Sequence, residues 1–253
     1  MKKRFSDMQQ HSGEHIFSGV AHSLCGVDNV GFHMGETSVT VDFNSVITDE
    51  ELKKIEILSN EENSYYLNNK EQYRLFLDLE FTMPPYDYQH GSGFVAEIIQ
   101  YGAYLEDPDG NMITSLNANV KPSNNDGLNA RTFNFLNVSM SDFRKAESPY
   151  EFYRKLKDVI MLYQPIIYVW GKNDILMLNN FYEKYKLKPL VERQKIVNLM
   201  QVIKNYYNIK TDIGLFNAYH LFGRSSVEEQ DHNSLHDAVA TAEVFKLFQN
   251  EIS

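Results

Sequence analysis

Cysteine, tryptophan and long apolar runs are scarce in this chain of 253 residues. Cys25 is the only cysteine, which excludes an intrachain disulfide and predicts a protein of the reducing cytoplasm. No stretch approaches the roughly 20 consecutive apolar residues that cross a bilayer, so no membrane segment and no membrane partner are expected. The basic residues at positions 2–4 have no apolar run behind them, so we do not expect a signal peptide.

Positive charge is also in short supply. The chain has 24 Lys and Arg residues against 34 Asp and Glu residues, which gives a net charge of −10. Such a balance argues against non-specific binding of nucleic acid or anionic membrane over the whole surface. It is compatible with a local basic groove and with a cluster of carboxylates that binds metal ions. The hydrophobic fraction of 43% is ample for a packed core.

Residues 1–64 have the pattern of a small α+β segment. Its predicted elements are a helix at 6–25, two short strands at 29–32 and 38–43, and a second helix that starts at the capping box of residues 48–51. Residues 61–72 are polar and charged, which makes them the best candidate for a boundary. We therefore expect a second domain over residues 73–253.

From residue 73 onwards, strands and helices follow one another. Strands are predicted at 74–82, 95–106, 111–121, 165–170 and 195–198, and helices near 138–146, 149–163, 173–185, 199–207, 213–222 and 234–250. Residues 107–110 form a hairpin turn, and residues 122–134 form a polar, Asn-rich connection. Three antiparallel strands followed by alternating strands and helices predict an α/β sheet with helices on its faces.

Two carboxylates interrupt the apolar run of residues 75–82. Asp78 and Glu80 are two positions apart, so in a strand their side chains point to the same face of the sheet. Burying two like charges is costly unless a cation lies between them. The hard divalent cations Mg²⁺ and Mn²⁺ prefer carboxylate oxygens. This pair therefore predicts one half of a metal site.

Two later stretches hold residues that suit the same site. Asp174 follows the apolar strand at 165–170 and opens a helix, and ligands bind at the carboxyl ends of strands in α/β sheets. His232 and Asp237 lie five apart at the start of the last helix. Each residue alone has a simpler interpretation, as a solvated strand edge, a helix cap, a loop histidine or a first-turn acid. Their joint occurrence favours the metal site.

The three stretches resemble the motifs of the DEDDh 3′→5′ exonucleases, and within that family the KapD-like group. The similar motifs are Phe-Leu-Asp-Leu-Glu-Phe-Thr-Met-Pro, Trp-Gly-x-x-Asp and His-Asn-x-x-x-Asp, in this order over residues 73–250. The resemblance implies a ribonuclease H-like fold, in which a mixed five-stranded sheet has helices on both faces. It also implies an enzyme that hydrolyses phosphodiester bonds at the free 3′ end of single-stranded RNA or DNA.

The same resemblance assigns roles to five residues. Asp78, Glu80 and Asp237 would be direct metal ligands. Asp174 would hold the second of two Mg²⁺ or Mn²⁺ ions, partly through water. Two such ions, about 4 Å apart, activate a water molecule, orient the phosphorus and neutralise charge on the leaving 3′ oxygen. His232 would be the general base, since the unperturbed pKa of histidine is about 6.5.

Residues beside the first motif would contact the substrate by analogy with the family. Leu79, Phe81 and Thr82 would line the site of the 3′-terminal nucleotide. Leu79 and Phe81 have an equal alternative as core residues on the opposite face of the strand. The tyrosine-containing loop at 83–94 offers rings on which unpaired bases can stack, and an ordinary exposed loop is the alternative.

A second metal motif occurs near the start of the chain. His11 and His15 are four apart on the predicted helix, and His-x-x-x-His is a frequent half-site for zinc. Residues 4–63 resemble the alanyl-tRNA editing domain, in which a later Cys-x-x-x-His completes a zinc site for hydrolysis of mischarged tRNA. No Cys-x-x-x-His follows residue 63, so half of that site is absent and active editing is not expected. The segment is then either a vestigial zinc half-site or a unit that packs on the second domain or contacts RNA.

The sequence thus predicts a divalent-metal-dependent 3′→5′ exonuclease that carries a partial tRNA-editing segment at its N-terminal end. One rival is an aminoacyl-tRNA deacylase. Another is a non-catalytic nucleic-acid-binding or regulatory module on the same scaffold. The intact acid set argues against this last rival, because a binding scaffold has no need of costly buried carboxylates.

Overall fold

The computed structural model describes residues 17–19, 21–22, 25–34, 39–55, 72–88, 93–191, 195–207, 209–223 and 233–252. The chain divides into two compact units, one formed by Met1–Lys70 with Gln201–Asp212 and the other by Glu71–Met200 with Ile213–Ser253. The domain limits 1–64 and 73–253 stay a prediction of the sequence.

The first unit contains a two-stranded antiparallel sheet of β1 (Asn29–Met34) and β2 (Val39–Phe43), as predicted. Residues 49–55 are helical, and the predicted capping box at their start is confirmed. Thr48 N donates to Glu51 Oε2 at 2.9 Å, and Glu51 N donates to Thr48 Oγ1 at 3.3 Å. Most of the predicted helix at 6–25 lies outside the described residues.

The second unit is built on a mixed five-stranded sheet, which confirms the predicted fold class. Its strands are β3 (Arg74–Phe81), β4 (Ile98–Glu106), β5 (Met112–Asn119), β6 (Ile166–Val169) and β7 (Ile196–Asn198). The order across the sheet is β5-β4-β3-β6-β7. The pairs β3–β4 and β4–β5 are antiparallel, whereas β3–β6 and β6–β7 are parallel. β3, which carries the first two acids, is therefore the central strand.

Six helices with described bounds follow β5 in the sequence. They are α1 (Ala130–Leu136), α2 (Pro149–Tyr163), α3 (Lys172–Tyr185), α4 (Leu199–Tyr207), α5 (Leu215–Ala218) and α6 (Ser234–Ile252). α2 begins at its predicted residue because Pro149 occupies the first helical position and Ser148 forms a capping box with Glu151. The long last helix α6 packs on β3 and β4.

The alternation of side chains along β3 separates two faces of the sheet. Leu75, Leu77 and Leu79 are buried in the main apolar core with residues of α2 and α3. Phe76 points to the opposite face, where its ring lies 5.5 Å from that of Phe245 in α6. Asp78 and Glu80 continue this second row, so the strand periodicity aims both acids at the face that α6 covers.

The segment between β5 and α2 differs from the prediction. The Asn-rich stretch at 122–134 was expected to be a connection, yet α1 starts within it because the side chain of Asn129 caps the helix by accepting from Arg131 N and Thr132 N. The helix predicted at 138–146 is wrong. Only a 3₁₀ turn at Asp142–Lys145 forms there, and its start is fixed by Ser139 N, which donates to Asp142 Oδ2 at 2.7 Å.

The helix predicted at 213–222 is split. α5 ends at Ala218, and a 3₁₀ turn at Tyr219–Phe222 follows, closed by Gly223 with a φ of +66°. Among the described residues, no helix is both long and apolar enough to cross a bilayer. The cytoplasmic location stays a prediction.

Candidate active site

Three carboxylates from two elements meet at the carboxyl-terminal half of β3. Each of Asp78, Glu80 and Asp237 offers an oxygen, and the three oxygens all lie within 4.8 Å of one another. Asp78 and Glu80 share a face of β3, and Asp237 lies in the first turn of α6, which crosses that face. Glu80 is only 8% exposed and Asp237 only 3% exposed. The geometry thus brings together acids that are 157 to 159 positions apart in the sequence.

α6 reaches this position because its first turn packs against β4 at very short distance. Gly102 in β4 pairs with Asp78 in β3, and Gln100 pairs with Glu80. The side-chain Oε1 of Gln100 accepts hydrogen bonds from Ser234 N at 2.9 Å and Ser234 Oγ at 2.7 Å. These contacts fix the start of α6 directly beside the two acids of β3.

Gly102 makes the close approach possible. A β-carbon built at this position would lie 2.2 Å from the carbonyl carbon and oxygen of Ser234 and from Leu235 N. No side chain fits into that space, so the residue opposite Asp78 has to be glycine for α6 to pack as it does. Gly102 and Gln100 were not singled out from the sequence. A glycine inside a strand is, however, a known mark of a close backbone approach and was the available signal.

Asp174 joins the site from the other side of β3. It lies in the first turn of α3, directly after β6, and is 6% exposed. Its Oδ1 accepts a hydrogen bond from Leu79 N at 3.1 Å. Because Leu79 stands between Asp78 and Glu80, this bond ties the Asp174 carboxylate to the backbone of the first motif.

Burial and mutual repulsion hold protons on these acids. The pKa of Asp78 is raised well above its usual range, first by removal from water and then by the charges of Asp174, Glu80 and Asp237. Burial, followed by the charges of Asp237 and Asp174, raises the pKa of Glu80 to about 8. Burial also raises the pKa of Asp174 to about 7, although hydrogen bonds from backbone N–H groups oppose the shift.

The residues present fit a divalent cation. Asp78 Oδ2 is buried and accepts no hydrogen bond from the described residues, and Asp78 forms no ion pair among them. The buried acid Glu106 at the other end of β4 shows the contrast, since Lys246 Nζ lies 2.5 Å from its Oε1 and Arg74 Nε lies 3.8 Å from its Oε2. All the donor atoms are oxygens, and the repulsion between the carboxylates suppresses their ionisation. A hard divalent cation bound between them would remove this repulsion.

Three predicted site residues lie outside the part of the chain that the structure describes. His232, His11 and His15 are outside the described residues, so their roles stay predictions. Asn233, next to His232, is described. Its Oδ1 accepts from Leu235 N at 3.1 Å, and this bond caps the start of α6.

The three residues predicted to contact substrate have the following surroundings. Leu79 is 3% exposed and belongs to the main core, as its alternative interpretation predicted. Phe81 is partly buried and packs against that core. Thr82 is 3% exposed, and its Oγ1 accepts from Glu97 N at 2.9 Å. Their contacts to a nucleotide stay predictions.

Comparison with known proteins identifies the family. The family model described as "Exonuclease" matches residues 75–245, a range that contains the described acids and His232. A second comparison finds a segment of 60 residues that is 33% identical to the alanyl-tRNA editing protein Aarsd1-A of Xenopus laevis. That segment is 23% of this chain and 15% of the Xenopus protein, so the chain spans only a small part of its curated relative.

Solved structures of three nucleases share the fold. The nuclease domain of 3′hExo, a DEDDh family member bound to rAMP, superposes with a TM-score of 0.61 at 19% identity, covering 72% of this chain and 94% of that one. Cell-death related nuclease 4 gives 0.57 at 16% identity, with coverages of 72% and 64%. Exonuclease I of E. coli, in complex with a dA16 oligonucleotide, gives 0.52 at 17% identity, with coverages of 71% and 41%. Likeness at these identities establishes a shared ribonuclease H-like architecture.

Proposed function

Because the chain belongs to the exonuclease family, whose model covers more than half of it, we propose that it is a divalent-metal-dependent 3′→5′ exonuclease of single-stranded nucleic acid. As a member of this family, the protein is a hydrolase that acts on phosphodiester bonds. The direction of digestion and the single-stranded substrate are the proposed part. The observation that supports a metal-dependent reaction is the convergence of one oxygen each from Asp78, Glu80 and Asp237 within 4.8 Å, with Asp174 hydrogen-bonded to the backbone between the first two.

The acid set is suited to hold two Mg²⁺ or Mn²⁺ ions. Asp78, Glu80 and Asp237 would be direct ligands, and Asp174 would contribute to the second ion, partly through water. Bound divalent ions supply an activated water molecule and neutralise the negative charge that develops on phosphate and leaving oxygen. The protein's own part is to keep four carboxylates close in spite of their repulsion, which the Gln100–Ser234 bonds and the packing of α6 accomplish.

His232 is proposed as the general base. It precedes Asn233, which caps α6, and it is five residues before Asp237. A histidine of ordinary pKa accepts a proton from an attacking water near neutral pH, so the rate should rise with pH through about 6.5. With Mg²⁺ at a concentration that saturates the acids over the whole pH range, a His232→Gln variant is expected to lose this dependence together with most of its rate.

Single-stranded RNA and DNA are the proposed substrates. 3′hExo is bound to rAMP and E. coli exonuclease I to a dA16 oligonucleotide in their solved structures, and both share the fold of this chain. A 3′-terminal nucleotide of either sugar is thus the starting point for substrate tests. A base-paired end would first have to be opened before its last phosphodiester reached the acid cluster.

The experiment uses RNA and DNA oligonucleotides labelled at either end, with Mg²⁺ or Mn²⁺. A 3′→5′ exonuclease converts a 5′-labelled strand into a ladder of shorter products and releases labelled mononucleotide at once from a 3′-labelled strand. EDTA and Asp78→Asn should abolish both results, whereas Asp109→Asn, an exposed aspartate in the distant β4–β5 turn, should not. Immediate release of mononucleotide from the 5′ label would contradict the proposed direction.

The 60-residue match to an editing protein, together with the resemblance of residues 4–63 to the editing domain, favours a second candidate function. The 60 residues at 33% identity favour a link to alanyl-tRNA, through deacylation or binding. No Cys-x-x-x-His follows residue 63. We therefore expect that the protein does not hydrolyse alanine tRNA mischarged with serine, and that metal analysis of the purified protein finds no stoichiometric zinc. Deacylation that survives Asp78→Asn and is lost in His11→Ala would establish the second activity.

A further inference from the structure

The loop after β3 presents an exposed aromatic ring next to a guanidinium group. Tyr86 is 71% exposed, and Arg131 Cζ lies 5.9 Å from the centre of the tyrosine ring. We propose that Tyr86 and Arg131 form a subsite for a nucleotide of single-stranded substrate on the 5′ side of the scissile phosphate. This inference rests on the proposed function, because it assigns part of the same substrate strand.

The pair is held in place rather than carried on a free loop. Met83 N donates to Thr132 Oγ1 at 2.9 Å, and Asn129 Nδ2 donates to Met83 O at 2.8 Å. Thr132 is fully buried, so these bonds anchor the loop to the first turn of α1. The two prolines before Tyr86 restrict the backbone further. The orientation of the ring is thus largely set before any ligand binds, which reduces the entropy cost of binding.

Arg131 has binding capacity left over. Its Nη1 donates to Pro84 O at a long 3.4 Å, and no carboxylate in the described part of the chain forms an ion pair with it. A guanidinium has five N–H donors in a planar fork that matches phosphate oxygens. The chain has a net charge of −10, so an arginine that forms no ion pair with the described residues and lies beside the loop after β3 is a suitable contact for a phosphate.

The ring and the cation together select unpaired nucleic acid. An exposed tyrosine face stacks on a base only when that base is not already stacked within a duplex. The guanidinium binds the adjoining phosphate of either RNA or DNA. The combination therefore recognises single strands and is tolerant of base sequence.

The short chain connection keeps the subsite within reach of the acids. Tyr86 lies six residues after Glu80, which limits their Cα separation to roughly 20 Å. Only one nucleotide lies on the 3′ side of the bond that an exonuclease cleaves, whereas the remaining strand runs from the 5′ side. A contact beyond the end of β3 is accordingly assigned to the nucleotides that precede the scissile bond.

The test compares substrates that reach the subsite with one that does not. The p-nitrophenyl ester of thymidine 5′-phosphate contains one nucleotide and nothing on its 5′ side except the leaving group, whereas a single-stranded decamer extends past Tyr86. Tyr86→Ala should lower the ratio of kcat/KM for decamer to kcat/KM for the ester about tenfold, mainly through KM. Tyr86→Phe should keep the ratio because it keeps the ring. Tyr150→Ala, which removes another exposed tyrosine at the start of α2, is the matched control.

A binding measurement separates this inference from the proposed function. The anisotropy of a fluorescein-labelled decamer, measured with Ca²⁺ and without catalysis, should show a Kd about tenfold higher for Tyr86→Ala. For Arg131→Gln, the slope of log Kd against log salt concentration should fall by the amount that corresponds to the loss of about one phosphate contact. If wild-type protein binds the decamer but hydrolyses neither substrate, the proposed function fails while the subsite stands. If Tyr86→Ala and Arg131→Gln bind and degrade the decamer as the wild type does, the subsite is refuted.

Discussion

Gly102 in the strand beside Asp78 lies against the backbone of Ser234 at the first turn of the last helix. A β-carbon on Gly102 would come within 2.2 Å of the Ser234 carbonyl carbon. The contact matters because Ser234 is three residues before Asp237, so the distance between β4 and α6 determines how closely Asp237 approaches the acids of β3. The absence of a side chain at Gly102 therefore determines the geometry of the acid cluster.

Gly102→Ala should separate α6 from the sheet. The new methyl group would meet backbone atoms, which cannot rotate away, so we expect a loss of about 1–3 kcal/mol in the free energy of unfolding. We also expect a drop of at least about tenfold in kcat/KM, because small misplacements of catalytic groups are costly. Chemical denaturation and nuclease assays measure the two effects. Gly19→Ala, which meets nothing within 4 Å, is the control. Unchanged activity in Gly102→Ala would show that the close contact is not required.

The stability of the metal-free protein should fall as pH rises from about 4 to 8. Glu80 and Asp174 have folded-state pKa values of about 8 and about 7, above their ordinary values, so the folded protein binds more protons than the unfolded chain over this range. Each excess proton contributes a slope of about −1.4 kcal/mol per pH unit. Thermal unfolding in EDTA at several pH values tests the sign.

Mg²⁺ should reverse this trend. A cation binds the ionised carboxylates, so the stabilisation that it adds should grow with pH as protons are lost from Glu80 and Asp174. Melting temperatures with and without Mg²⁺ should therefore diverge between pH 6 and 8. Parallel curves across that range would show that these acids are not the ion-binding groups.

Asp174→Asn should separate the structural role of this side chain from its charge. The amide oxygen can still accept the hydrogen bond from Leu79 N, while one buried negative charge is removed from the cluster. At pH 8 without metal, we expect the variant to be more stable than the wild type by up to about 4 kcal/mol, because ionisation of Asp174 is costly when its pKa is raised to about 7. It should also lose most of its Mg²⁺-dependent stabilisation and activity. Denaturation curves in EDTA and in Mg²⁺ provide both values, and a destabilised metal-free variant would contradict the account.

Local patterns carried most of the prediction of the fold. The apolar runs predicted β3 and β6 to within one or two residues at each end, and the helix predicted at 149–163 has the observed bounds of α2. α1 was missed because the cap at Asn129 lies in a run of asparagines whose composition suggests a loop. The bond from Asn129 Nδ2 to Met83 O is a tertiary contact that no local sequence pattern predicts.

The site was predictable in its acids but not in its supports. The two-residue spacing of Asp78 and Glu80 fixes their common face in any strand. The role of Gln100 depends on the register that sets it opposite Glu80 and on the approach of a helix more than 130 residues later. Register and helix docking result from packing of the whole sheet, which no short window of sequence contains.

The central claim is that the four carboxylates bind the ions that catalyse removal of 3′ nucleotides. It is tested most directly by measuring Mn²⁺ binding by electron paramagnetic resonance in the same samples in which digestion of a 5′-labelled single strand is followed. We predict that the wild type binds two ions per chain and that its rate follows their occupancy. Asp78→Asn should lose at least one ion and reduce the rate by about a thousandfold or more. An Asp78→Asn protein that degrades the strand at the wild-type rate would contradict the account.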